Sequence, residues 1–197
     1  MSNLLQGAPM TRIPFVFIFL ALASGSALAH PGHAGDGLAA GLLHPLIGAD
    51  HLLAMVAVGL WAARFRGLER WALPSAFVGF MLLGALIARP GGQIPAEPMI
   101  AGSVLVLGIA VAAAVRLPAA AGAAVVAAFA LFHGYAHVAE IPAGMPFAAF
   151  VAGMLVATAL LHAAGVALGV GLARAGDWLP RALGGVITLA GAYLLIA

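Results

Sequence analysis

Two histidines and an aspartate stand inside an apolar run in His44-Pro45-Leu46-Ile47-Gly48-Ala49-Asp50-His51, within Leu38 to Ala63. Carrying an Asp to the centre of a membrane-spanning helix costs roughly 2.5 to 3.5 kcal/mol on insertion scales, so ionisable groups in such a run signal function. On an ideal helix His44 and His51 return to nearly one face but stand about 10.5 Å apart along the axis, too far for one metal ion to bridge. Pro45 removes a backbone hydrogen bond and Gly48 tolerates bending. Together they offer a kink or unwound turn, with freed carbonyls as extra oxygen ligands. Asp50 reads either as a direct ligand or as the acceptor for the second ring N–H of a ligating histidine.

A second set lies in Phe132-His133-Gly134-Tyr135-Ala136-His137-Val138-Ala139-Glu140. His133 and His137 are one helical turn apart and Glu140 follows three residues later, so all three project from one face at a spacing that chelates a divalent ion. Imidazoles with a carboxylate suit Ni²⁺, Co²⁺, Zn²⁺ or Fe²⁺ rather than Mg²⁺ or Ca²⁺, which favour all-oxygen shells. At about 1.5 Å per residue from the outer span ends, His44 and His133 fall roughly 9 Å deep. Asp50 and His51 fall deeper, and His137 and Glu140 sit at the mouth. The expectation is a ladder of ligands rather than one closed site. His162, with Thr158 and Met154 at four-residue steps on its face, reads either as an inward relay or as a histidine hydrogen-bonded to a neighbouring helix. Met55 continues the His44/His51 stripe and reads as core filling, with a soft thioether ligand as the alternative. His30 and His33 form either a metal-capture arm or an idle tail. No HExxH is present, which argues against a metalloprotease; no catalytic residue and no enzyme are expected.

The elements that must position these groups are apolar helices. The chain is 64% hydrophobic and 7% charged, with mean hydropathy +1.15, far from the globular norm of about 25% charged and characteristic of a polytopic membrane protein. Its eight basic residues are all Arg, scattered to a net charge of +2, with no cluster that would bind nucleic acid. Without Cys there are no thiolate metal sites, and without Lys there is no Schiff-base chemistry.

Residues 1–29 read as a signal peptide: Arg12, an apolar core from Ile13 to Ala23, then Ala27-Leu28-Ala29 as an A-x-A cleavage site. Residues 30–37 then form a periplasmic N-terminal His arm, and residues 38–197 a six-helix transmembrane domain. The spans are predicted at 38–63, 71–88, 99–115, 119–139, 146–173 and 178–197. Arg64, Arg66, Arg70, Arg116, Arg174 and Arg181 then fall in cytoplasmic loops and Arg89 alone in an outer one, as the positive-inside rule requires. Both mature termini are placed outside. Three spans before and three after the Arg116 loop have the arithmetic of a 3+3 inverted repeat around a midplane site.

With both clusters in view, the chain resembles the HupE/UreJ family, nickel/cobalt permeases that serve hydrogenase or urease maturation. The resemblance rests on a signal ending before His30-Pro31-Gly32-His33, a first-span H-x5-D-H at His44 to His51, and FHGYAH at Phe132 to His137 followed by Glu140. It implies a bacterial inner-membrane permease that moves Ni²⁺, or Co²⁺, from periplasm to cytoplasm as substrate, with no permanently bound cofactor. His44, Asp50, His51, His133, His137 and Glu140 would be its metal-handling residues. Val138 stands where the family usually has Gly. The alternative from another class is an intramembrane metal- or haem-binding redox protein, in which two histidines on facing helices are axial ligands. The oligomeric state is left open.

Overall fold

The apolar runs form helices in a computed structural model of the chain, which describes residues 37–88, 94–139, 141 and 143–197. The signal peptide, the arm with His30 and His33, Arg89 and Glu140 lie outside the described residues. In order the elements are α1 (Gly37–Ile47), α2 (Ala49–Ala62), a 3-10 turn (Gly67–Trp71), α3 (Ala72–Ile87), α4 (Glu97–Ala112), α5 (Ala119–Ala139), α6 (Phe147–Ala175) and α7 (Trp178–Ile196). Among the described residues there is no strand. Four helical segments are long and apolar enough to cross a membrane, or five when the bent pair α1 and α2 is taken as one. α4, at 16 residues, is shorter.

The predicted first span is therefore two helices, meeting at an 81° bend around Gly48. The sequence explains the break. Pro45 cannot donate within α1, and Gly48 adopts an extended conformation (φ −78°, ψ 114°) in which its carbonyl accepts the Leu52 N–H that starts α2.

Three helix pairings build the bundle: α1 and α2 against α6, α3 against α5, and α4 against α7. Close backbone contacts give their directions. Gly37 faces Pro146, Gly41 faces Phe150 and Gly59 faces His162, so both halves of the broken pair run the same way as α6. Gly122 faces Leu73 and Gly134 faces Met81, so α5 runs with α3, whereas Gly191 on Leu105 and Gly184 on Ala112 set α7 against α4. Between Gly41 and Gly59 the broken pair uses more residues than α6 uses between Phe150 and His162. The surplus is the bulge that carries His44, Asp50 and His51.

The core runs along this seam. Met55, Trp61, Phe77, Met81, Leu107 and Met154 are fully or almost fully buried, while Ile47, Leu86, Leu160, Leu189 and Ile196 face outward on the periphery. At the arginine-bearing end, Trp61 Nε1 donates to Val115 O and Arg181 Nε donates to Ala112 O. The second contact places a cation on the last carbonyls of α4, where the helix dipole favours it.

Candidate metal centre

The bend brings together side chains that a straight helix would hold apart. The His44 and His51 ring centroids are 6.1 Å apart, His44 lies 4.6 Å from His137, and His51 lies 5.1 Å from His133 and 4.3 Å from His137. One ring nitrogen from each of His51, His133 and His137 falls within 4.8 Å of the other two. The expected ladder, with His137 at the mouth and His51 well below it, is thus replaced by one compact cluster. The physical reason is the 81° bend, which turns the start of α2 so that His51 approaches His44 and His137. His133 and His137 are both 0% exposed.

Local hydrogen bonds select the nitrogens that face inward. Asp50 Oδ1 stands 2.8 Å from His51 Nδ1 and also accepts the His51 backbone N–H at 2.8 Å. A carboxylate only accepts, so Nδ1 carries the ring proton and the Nε2 lone pair is left for a ligand. On α4, Ser103 Oγ donates to Ile100 O at 2.6 Å and lies 3.0 Å from His133 Nε2. The single hydroxyl proton is already committed, so His133 Nε2–H donates to Ser103 and the Nδ1 lone pair turns to the cluster. These tautomers follow from the partners.

His51 Nε2, His133 Nδ1 and both ring nitrogens of His137 are buried without a protein hydrogen-bond partner. Each buried orphan of this kind costs about 1–3 kcal/mol. A divalent cation taking one nitrogen from each ring fits the donor set: borderline nitrogen ligands from neutral imidazoles, with His51 and His133 each held by a second contact. Asp50, whose side chain is one-third exposed, and His44, half-buried, are the more accessible members of the cluster.

Backbone packing holds the two helices that supply the rings. Gly41 and Gly134 each stand three residues before a cluster histidine, His44 and His137 respectively. A Cβ at Gly41 would collide with Phe150 O, and one at Gly134 with Met81 O. Gly153 and Gly84 return the contact against Leu38 O and Leu131 O. Two helix crossings with the same interlock thus position His44 and His137. Gly48 has a different reason for being glycine: a Cβ there would lie 2.9 Å from Asp50 Oδ1 and 3.0 Å from His51 Nδ1, so a side chain would displace the pair.

Of the residues singled out in the sequence, His44, Asp50, His51, His133 and His137 come together here. His162 lies apart on α6, fully buried and beyond the Phe77 ring. Val138 is buried in the core. Ser103 was not foreseen, since one serine in an apolar run has no spacing signal; only its placement opposite His133 identifies it.

Comparison with known proteins agrees with this arrangement of motifs. Residues 18–194 match the family model described as HupE / UreJ protein. The chain is 44% identical over 192 residues to Protein HupE of Rhizobium leguminosarum bv. viciae, covering 94% of this chain and 98% of that protein. No solved structure matches. A match across nearly the whole chain, including both histidine motifs, places this protein in the HupE/UreJ family.

Proposed function

We propose that the protein is a secondary permease that moves Ni²⁺, with Co²⁺ as the competing substrate, from the periplasm to the cytoplasm for hydrogenase or urease maturation. The observation that carries this reading is the convergence of three imidazoles with unpartnered buried nitrogens at the break in an apolar helix pair. A broken span that lines a polar site is a recurrent device of transporters, because irregular backbone inside a membrane is tolerated where it borders a cavity. In this reading the metal is cargo and no cofactor is resident.

The same reading takes the protein as a six-span inner-membrane protein, with α1 and α2 as one span, α4 as a short one, and both mature termini periplasmic after removal of residues 1–29. The pairwise directions support it: the first and fifth spans are parallel, as are the second and fourth, and the third and sixth are antiparallel, as alternation requires. His30 and His33 would capture the ion outside, and Glu140, three residues past His137, would join the ligands. The helix pairings support a 3+3 inverted repeat: exchanging the first three spans with the last three converts the first–fifth pairing into the fourth–second and leaves third–sixth unchanged. The support lies in pairing rather than register, since Gly41 and Gly134 occupy like interlocks at different places in their spans.

Radiolabelled Ni²⁺ uptake by cells or proteoliposomes tests the function. Uptake above control should fall at least tenfold in His133→Ala and in His51→Ala at equal expression; unchanged uptake in both would refute the site assignment. Because imidazoles must be unprotonated to ligate, apparent affinity should weaken as the outside pH falls.

A further inference from the structure

Below the three-histidine cluster lies a second group of donors that it does not use. His162 on α6 is fully buried, and neither ring nitrogen has a hydrogen-bond partner. Of its two readings, the hydrogen bond to a neighbouring helix is absent among the described residues. One turn earlier on the same helix, the Thr158 hydroxyl lies 3.4 Å from Met55 Sδ and 3.8 Å from Met81 Sδ, so two thioethers from α2 and α3 flank one oxygen. All four side chains are 0% exposed. Met55 is one turn beyond His51 along α2, which puts the group directly inward of the cluster. The Phe77 ring touches both groups: its centroid is 5.2 Å from that of His133 and 5.0 Å from that of His162.

We propose that His162, Met55, Met81 and Thr158 form a second, transient station for a borderline transition-metal cation, which receives the ion from the three-histidine cluster past Phe77. The inference rests on the metal-passage reading above. Its donor chemistry differs from that of the upper site. One imidazole, two thioethers and a hydroxyl carry no charge, reject Mg²⁺ and Ca²⁺, and hold a borderline ion more weakly than three imidazoles beside a carboxylate. A weaker inner site suits release, since passage requires binding strong enough to admit the ion and weak enough to let it go. The two orphan nitrogens of His162 give the station its reason to exist: one of them gains a partner only when the ion arrives.

Equilibrium dialysis of the full chain in lipid nanodiscs, with Co²⁺ as probe, tests the station. Beyond any ion that is lost in His30→Gln/His33→Gln, the wild type should hold two ions per chain, the weaker at least tenfold below the tighter, and X-ray absorption at saturation should show sulfur neighbours. His162→Gln should hold one, with the visible spectrum of the tight ion unchanged. Met55→Leu combined with Met81→Leu should lose the sulfur signal. His133→Ala should lose the tight ion. One ion per chain without sulfur in the wild type overturns the station and leaves the transport reading standing; no bound ion at all overturns both. Two ions with sulfur retained in His162→Gln would also overturn the assignment.

Discussion

Removing the Ser103 hydroxyl would leave His133 Nε2–H buried without an acceptor and free the ring to turn its protonated nitrogen toward the cluster. Outer-shell partners of this kind are worth about 10- to 100-fold in metal affinity. Ser103→Ala should therefore weaken Ni²⁺ binding by about that factor at unchanged expression, as read by equilibrium dialysis, while Ser103→Thr keeps more of it. The histidines and Asp50 were legible from residue type and spacing alone, because ionisable groups are conspicuous in an apolar run. Their tautomers were not, since these depend on Asp50 Oδ1 and Ser103 Oγ meeting particular nitrogens across short distances. Met55 fills the core as expected, and the approach of Thr158 from α6, which no spacing announces, also gives its sulfur a polar neighbour.

At the scale of the elements, helix lengths were readable because apolar runs end at Pro, Gly and Arg; α5 occupies residues 119–139 as expected. The break at Gly48 was foreshadowed by Pro45 and Gly48, but its 81° angle was not, because hydropathy continues unbroken on both sides. Backbone contact sets that geometry, and substitutions can probe it. Gly134→Ala forces a Cβ into Met81 O in a packed crossing and should lower stability by about 1–3 kcal/mol. Gly102→Ala, where a Cβ meets nothing within 4 Å, should be neutral or stabilise α4 by about 0.5–1 kcal/mol. Thermal unfolding of the detergent-solubilised variants separates them; equal midpoints would remove the interlock argument. Gly48→Ala should unfold near the wild-type temperature yet bind Ni²⁺ at least fivefold more weakly, because its Cβ displaces the Asp50–His51 pair rather than a helix.

For the molecule as a whole, the arginines agree with the orientation expected from a cleaved signal peptide, and Arg64, Arg66, Arg70 and Arg116 line one cavity beside Asp177, at the end opposite the histidine cluster. With no native cysteine in the chain, single-cysteine labelling reads the orientation directly. Leu68→Cys, at a position 91% exposed, should react with an impermeant maleimide only after the membrane is opened, whereas Ala143→Cys should react in intact spheroplasts. Labelling of both from the same side would reject the alternating topology. The neutral imidazoles of the cluster have an electrical consequence. Asp50 is the one carboxylate among the described residues in contact with the cluster, and it stays in place, as Glu140 would, while the ion's two positive charges pass. Each charge moves within the field of the bilayer at about 2.3 kcal/mol per 100 mV. Uptake should be electrogenic: an inside-negative potassium diffusion potential set with valinomycin should accelerate Ni²⁺ accumulation in proteoliposomes, and collapsing it should slow entry even with the chemical gradient held constant.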